Sequence, residues 1–319
     1  MPRSEPAAVS PVKRDSLKPL LEDLERDEKL DAVIGRGGLM KPLSGGVYRV
    51  SQAMLEDLAS CRYGTHASNL GAALARELAD RYGVDNCPAF IADPVVVDEM
   101  IPEARISGIK GLERRSIFHA LNQKSTARAA AESLGQSYEV VNLIVAHMGG
   151  GISVGAHRRG RVVDVNNALD GEGPFSPERS GTVPAGQLLD LVEAGTPLAD
   201  IRRLLTGNGG LASLSGSKDF RKLAEDCDKG SEEAVTLYKA LVLQISQEIC
   251  RHGATLEGQV DGIVLTGGLA NSTRLVGDII RKIEFLGKVI VIPGEREMQS
   301  LAENANAAVQ GKREIREYS

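Results

Sequence analysis

Residues 141–165 read VNLIVAHMGGGISVGAHRRGRVVDV, and the fold turns on how this stretch is understood. An apolar run enters three consecutive glycines, Gly149, Gly150 and Gly151, and two further strand-like segments follow. The pattern predicts a strand, a tight glycine turn and two returning strands. Glycine carries no Cβ and adopts φ > 0 at little cost, so consecutive backbone N–H groups of such a turn can converge on an anion. His147 sits at the mouth of the turn, which makes the stretch a candidate phosphate loop. The same residues suit a plain β-hairpin whose glycines only make the bend. The stretch alone does not choose between the two.

The rest of the 319 residues narrows the choice. With 42% hydrophobic and 25% charged residues the composition is that of a globular chain, long enough for two ordinary domains. A net charge of −5 and the absence of a basic, aromatic-interleaved stretch argue against nucleic acid as a partner. Cys61, Cys87, Cys227 and Cys250 are far apart and form no C-x-x-C pair, so reduced thiols and a cytoplasmic location are expected rather than a disulfide scaffold or a zinc site. The polar, Pro-containing first residues have no apolar core, and no run approaches the about 18 apolar residues of a membrane span.

Along the chain, leucines at helical spacing predict an amphipathic helix over residues 16–27. A short buried strand over residues 32–35 opens into a loop carrying Arg36 and the pair Gly37–Gly38, where the arginine is either an anion ligand or a solvated turn residue. His66 and Asn69 precede a helix rich in alanine and leucine. A strand over residues 89–92 breaks at Asp93–Pro94, since proline cannot continue a ladder; Asp93 there is a ligand carboxylate at a strand end or simply a turn former. Residues 113–135 read as a helical stretch with Arg114, Arg115, Phe118 and His119 in its first turns. After the glycine turn comes a long Gly- and Pro-rich loop with Glu178, Arg179 and Ser180, of the kind that usually carries function. Four helices are expected over residues 184–256. A strand over 263–265 then enters Gly267–Gly268 ahead of a helix whose amino end faces the loop, and a last strand and helix follow.

No G-x-x-x-x-G-K-[ST], G-x-S-x-G or H-E-x-x-H is present, and the dinucleotide glycine fingerprint fails as well. What remains is two glycine loops, loop arginines and histidines: donors and cations suited to phosphoryl transfer.

The segments GTHASNLGA, IADPVVVDEM, RRSIFHALNQK, residues 145–181, GNGGL and IVLTGGLA together resemble the butyrate kinases, members of the acetokinase family in the actin, hexokinase and sugar-kinase superfamily. The resemblance runs from about Ile34 to the C-terminus. It implies an α/β, two-domain actin-like and ribonuclease H-like ATPase fold with a duplicated βββαβαβα core. ATP or ADP with Mg²⁺ would lie in the cleft, a short-chain carboxylate would be the substrate, and the assembly would be a homodimer or higher homo-oligomer. It divides the chain into an acyl-substrate domain over residues 1–140, to which a C-terminal helix at 299–319 returns, and a nucleotide-binding domain over 141–298. It implies phosphate- and carboxylate-clamping roles for Arg36 and Arg179, contact of His119 with the transferring phosphoryl group, and catalytic and magnesium-organising roles for Asp93 and Glu297. His147 with Gly149–Gly151 corresponds to the second phosphate loop, and Gly267 and Gly268 to the adenosine motif with Gly207, Asn208 and Gly209 nearby. His66, Asn69 and Phe118 are the expected substrate-side residues, Phe118 as an apolar wall for the acyl chain.

One family feature is missing. An Asn-Pro-Gly-Ser-Thr-Ser-like first phosphate loop is not found near the N-terminus, so the N-terminal domain is expected to lack its first strands and several phosphate and magnesium contacts, leaving an exposed sheet edge. The expected activity is therefore butyrate kinase. Alternatives are a branched-chain fatty acid kinase, an inactive nucleotide-binding remnant, or a sugar or other hydroxyl-acceptor kinase with Asp93 as general base.

Overall fold

A computed structural model describes residues 29–319; the helix expected over residues 16–27 lies outside them. In chain order the strands are β1 (Val33–Arg36), β2 (Val47–Arg49), β3 (Ala89–Ala92), β4 (Ile106–Ile109), β5 (Leu112–Glu113), β6 (Asn142–Met148), β7 (Ile152–Arg158), β8 (Arg161–Val165), β9 (Gly262–Gly267), β10 (Val289–Pro293) and β11 (Ile315–Arg316).

The chain divides into two units. One holds the described residues up to Val97 together with Glu297–Ser319, the other Asp98–Arg296. This corrects the boundary expected at 140/141. Residues 98–140 go with the second unit because the helix Ala120–Ser133 packs on β6 and β9, and the Ile101 N–H donates to Val163 O at 2.9 Å.

The first unit is built on a four-stranded sheet ordered β1-β3-β2-β11, with β1 parallel to β3, β2 antiparallel to β3, and β11 parallel to β2. The helix Leu70–Tyr82 covers β1 and β3 with Ala72, Ala75 and Ala79, whose small side chains let it approach closely.

The second unit has a five-stranded mixed sheet ordered β10-β9-β6-β7-β8. β6, β7 and β8 form an antiparallel meander, and β9 and β10 add in parallel on the other side of β6. Side chains alternate across such a sheet. On one face Ile144, Ala146 and Met148 of β6 and Ile152, Val154 and Ala156 of β7 join a core with Leu241, Ile245 and Ile249 of the helix Glu232–Thr255 and Leu275 and Ile279 of Thr273–Ile283. On the other, Leu143, Val145 and Val264 pack against Ala127, Ala130, Ala131 and Tyr138. Toward the carboxyl end of β6 that second face turns polar, because the register sets His147 beside Ser153 on β7 and Thr266 on β9.

The helix covering this face starts later than its sequence suggests. Residues 114–118 are not helical: Arg114 N–H donates to Arg105 O, extending the β4–β5 hairpin, and Ile117 O accepts from Ala168 N–H. Arg114 also reaches Asp164 (2.9 Å) and Glu172 (3.1 Å), tying the segment to β8. His119 is the residue that caps the helix. Asn122, Gln123, Lys124, Ser125 and Thr126 are all buried in its first turns, so the helix lays a polar stripe on the sheet. Lys124 Nζ pairs with the buried Glu99 at 2.9 Å and also donates to Gly160 O, while Glu99 accepts the Val162 N–H.

Removing one partner of such a pair strands the other charge. Lys124→Met should cost about 3–5 kcal/mol in urea unfolding; a loss below about 1 kcal/mol would show that the pair is not buried as described. Burial alone would raise the Asp164 carboxyl, but His252, Arg114 and Arg251 outweigh it and hold it below the usual carboxylate value. This stabilisation is present above the unfolded carboxylate pKa and is lost as pH falls below about 4. Urea midpoints should therefore drop with acidification in that range, and less steeply in Asp164→Asn; an identical pH slope in the variant would contradict the assignment.

Candidate active site

The glycine turn between β6 and β7 is the centre of a polar cluster in the second unit. None of Gly149, Gly150 and Gly151 adopts positive φ, so the left-handed conformation expected of the turn is not what requires glycine. Space is. A Cβ on Gly151 would lie 2.2 Å from Nη1 of Arg179, and one on Gly149 would lie 3.2 Å from Nε2 of His147. The turn is thus flanked by a guanidinium on one side and an imidazole on the other.

Arg179 is brought there by its loop. Ser176 is fully buried; its hydroxyl donates to Gly150 O at 2.6 Å and accepts the backbone N–H groups of Glu178 and Arg179. The Glu178 N–H donates to the same carbonyl of Gly150. The Arg179 guanidinium donates through Nη1 to Ala168 O, whereas its buried Nε–H has no hydrogen-bond partner among the described residues. Burial lowers the Arg179 pKa from its usual value, against the raising effect of Glu178 and Asp170. A guanidinium with an unsatisfied buried donor beside a glycine turn is electrostatically suited to an anion.

The GNGGL segment docks onto the same loop. Gly209 N–H donates to Glu178 O and Leu211 N–H to Ser176 O. A Cβ on Gly210 would fall 1.8 Å from Ser176 O, and its φ is +57°. Gly207 ends the helix Leu198–Thr206, and Asn208 is exposed. Gly267, at the end of β9, abuts the end of β6: a Cβ there would sit 2.4 Å from Met148 O, while one on Gly268 would meet nothing within 4 Å. The structure therefore gathers His147, Gly149–Gly151, Arg179, the 207–210 loop and Gly267–Gly268 in one unit.

His119 joins them. Its ring stacks on that of His147, with centroids 3.9 Å apart and planes 15° from parallel. His147 Nδ1 faces Asn122 Oδ1 at 2.9 Å, an oxygen that also faces the Thr266 hydroxyl. With the Asn122 amide in this orientation, which leaves its buried Nδ2 without a hydrogen-bond partner among the described residues, His147 carries a proton on Nδ1 and presents Nε2 to the turn, 3.8 Å from Glu295. His119 Nδ1 lies 2.9 Å from the hydroxyl of Ser153. Phe118, beside it in the chain, is buried.

The remaining candidates lie in the first unit. Arg36, at the end of β1, and Glu297, the first residue of the helix Glu297–Val309, form an ion pair of 3.0 Å. Asp93 is buried with φ +38°; its carboxylate accepts the Gly46 N–H at 2.8 Å, and its own N–H donates to Gly46 O. His66 accepts the Ser68 N–H, and Asn69 commits both ends of its amide to the backbone of Leu39 and Gly64. His66 and Asn69 thus shape the loop before Leu70–Tyr82.

Sequence reasoning passed over Asn122, Gln123, Ser153, Ser176 and Glu295. The only signal was the uncommon run of polar residues, NQKST, at the start of an otherwise alanine-rich helix. As for cofactors, the glycine turn, the open space at Gly268 and the Arg179 guanidinium fit a polyphosphate. Mg²⁺ takes one or two carboxylates alongside phosphate and water oxygens, and Glu297 has the right donor chemistry; no cluster of three or more metal-ligating side chains occurs among the described residues.

Residues 107–311 match the model of the acetokinase family. The fold is that of acetate kinase from Porphyromonas gingivalis, at a TM-score of 0.78 and 22% identity over 92% of this chain and 84% of that one. A propionate kinase from Francisella tularensis subsp. tularensis superposes at 0.74 with 20% identity, covering 91% and 83%. Acetate kinase from Entamoeba histolytica superposes at 0.76 with 15% identity, covering 93% and 84%.

Two glycine substitutions separate the local roles. Gly151→Ala presses on the end of a flexible side chain, so it should leave the unfolding midpoint nearly unchanged while displacing the guanidinium and weakening anion binding at the turn. Gly210→Ala presses on backbone at positive φ and should destabilise by about 1–3 kcal/mol. Equal effects on stability would refute the distinction; calorimetric titration with pyrophosphate and urea unfolding read the two.

Proposed function

Since this chain belongs to the acetokinase family, whose members transfer a phosphoryl group to the carboxyl group of a short-chain acid, we propose that it is a butyrate kinase, making butyryl phosphate from ATP and butyrate or running the reverse. The observation that carries the reading is the stacked pair His119–His147 set against the glycine turn with Arg179 on its other side. The preference for butyrate rests on the butyrate-kinase-like segments around His119, His147 and Gly267.

The chemistry asks for what these residues offer. A carboxylic acid of pKa near 4–5 is already ionised at pH 7, so its oxygen attacks phosphorus without a general base. The difficulty is repulsion between an anionic nucleophile and an anionic triphosphate, and it is met by fixed donors and cations aimed at the charge that develops. In this reading Arg179 neutralises the phosphoryl oxygens, its buried Nε–H finding an acceptor there. His119 holds a proton toward the in-flight group, His147 orients beside it, and the turn at Gly149–Gly151 binds phosphate through its backbone. Arg36 binds the carboxylate or phosphate. Glu297 and Asp93 are the carboxylates that would hold Mg²⁺, which would supply further positive charge against the phosphate oxygens. Gly267, Gly268 and the 207–210 loop are assigned to the adenosine. Phe118 is assigned to the acyl chain; at about 0.8 kcal/mol per methylene, the two extra carbons of butyrate can separate it from acetate by more than tenfold.

Trapping the acyl phosphate with hydroxylamine, over a panel of acetate, propionate, butyrate, isobutyrate and valerate with MgATP, tests the proposal. Butyrate should give the highest kcat/KM, and Arg179→Ala should lower kcat by about 10²–10³-fold. A branched acid or acetate on top would replace the substrate assignment. No acyl hydroxamate from any acid, with a well-folded sample, would overturn the activity for this chain.

A further inference from the structure

On the face of the second unit's sheet covered by the helix Ala120–Ser133, a line of buried polar groups leads away from the candidate site. Ser153 and His157 stand two strand positions apart on each side of Gly155 in β7. Gln123 reaches between them. A Cβ on Gly155 would lie 2.6 Å from Gln123 Oε1, so the glycine leaves the room that the amide occupies.

The directions of the hydrogen bonds from Gln123 to His157 and Tyr138 follow from one backbone carbonyl. Gln123 places one end of its amide 3.0 Å from Ser153 O and 2.8 Å from Ser153 Oγ. A carbonyl only accepts, so that end is the NH₂ group, and Oε1 is the end 2.9 Å from His157 Nε2. An amide oxygen cannot donate; His157 Nε2 therefore carries the proton. Burial, together with the positive charges of Lys124, His252 and Arg128, pushes the His157 pKa well below its usual value, leaving the ring neutral. Its Nδ1 then accepts from the Tyr138 hydroxyl at 2.7 Å. At the other end the Ser153 oxygen accepts from Gln123 at 2.8 Å and from the backbone N–H of His119 at 3.5 Å, so both its lone pairs are taken and its own proton goes to the acceptor within reach, His119 Nδ1 at 2.9 Å.

We propose that Tyr138, His157, Gln123 and Ser153 are positioning residues that fix His119 in the tautomer with its proton on Nε2. His119 is thereby protonated on Nε2 by its bond from Ser153, opposite to the stacked His147, whose Nδ1 carries the proton when the Asn122 amide oxygen faces it. For the reaction proposed above, this keeps an N–H donor on the His119 nitrogen that does not face Ser153. A ring with the proton on Nδ1 would turn a lone pair there instead. The inference about the tautomer rests on the hydrogen-bond geometry; its importance for turnover rests on the role assigned to His119.

The experiment is a long-range ¹H–¹⁵N imidazole correlation spectrum of the full chain, recorded with kcat for butyryl phosphate formation. In the wild type the His119 ring should show the Nε2–H pattern and the His147 ring the Nδ1–H pattern. Ser153→Ala should leave His119 as a tautomer mixture and lower kcat by about 10–100-fold, the range typical of residues that orient a functional imidazole. Ser153→Thr, which keeps the hydroxyl, should restore both. Gln123→Met, near in volume but without an amide, should give the mixture with a smaller loss, and circular dichroism checks that each variant is folded. An Nδ1–H pattern at His119 in the wild type, or an unchanged pattern in both Ser153→Ala and Gln123→Met, overturns the relay whatever the activity. If the spectra behave as expected while His119→Ala keeps wild-type kcat, the relay stands and the catalytic role of His119 falls.

Discussion

The structure of the second unit depends on satisfying polar side chains buried between a helix and the end of a sheet. Leaving a buried amide or hydroxyl without a partner costs on the order of 1–3 kcal/mol, comparable with the whole margin by which many domains are folded when several such groups are involved. The helix Ala120–Ser133 presses Asn122, Gln123, Lys124, Ser125 and Thr126 onto the sheet within two turns. Asn122, Gln123 and Lys124 have partners outside the helix, at His147, at Ser153 and His157, and at Glu99 and Gly160, whereas Thr126 bonds back to the carbonyls of its own helix and Ser125 Oγ has no partner among the described residues. The helix can therefore dock in one register only, and that register fixes where His119 and His147 meet.

The same constraint explains why the sheet face changes character along its length. Leu143, Val145 and Val264 pack with alanines of the helix in an ordinary apolar layer. Two residues further along β6 the layer becomes His147, with Ser153 and Thr266 beside it in register. The apolar half supplies the burial that holds the helix; the polar half uses the dry environment made by the first. Water exclusion strengthens each hydrogen bond there and lets a serine hydroxyl or an amide oxygen dictate the tautomer of an imidazole, which bulk solvent would not permit.

The loops after β8 and before the helix Leu211–Leu214 bring the guanidinium of Arg179 to this end of the sheet. They do so through backbone contacts too close for side chains, at Gly209 and Gly210 against residues 176–180. In the first unit Arg36 and Glu297 meet across residues far apart in the chain, and Asp93 braces the turn at Gly46. Much of this was legible beforehand. The strand at Ala89–Ala92, the strand-turn-strand of residues 141–165 and the helices between 184 and 256 follow from periodicity and from glycine and proline punctuation. Arg114 was assigned to a helix because RRSIFHALNQK has no local breaker; its ion pairs with Asp164 and Glu172, 50 and 58 residues away, hold it extended instead.

By itself, then, the sequence determined the strands and helices of residues 141–309 in their order, the identity of the glycine turn and the family, since these rest on local spacing and on motifs contiguous in the chain, whereas the β4–β5 hairpin and β11 left no such signal. Tertiary structure alone decided that residues 98–140 belong with β6–β10, that Gly151 is needed for room rather than for φ, and that Gln123, Ser153 and His157 stand in line behind His119. The physical reason is range. A helix amide and a strand hydroxyl thirty residues apart leave no periodic signal, and the proton on an imidazole is set by whichever acceptor or donor the fold places against it.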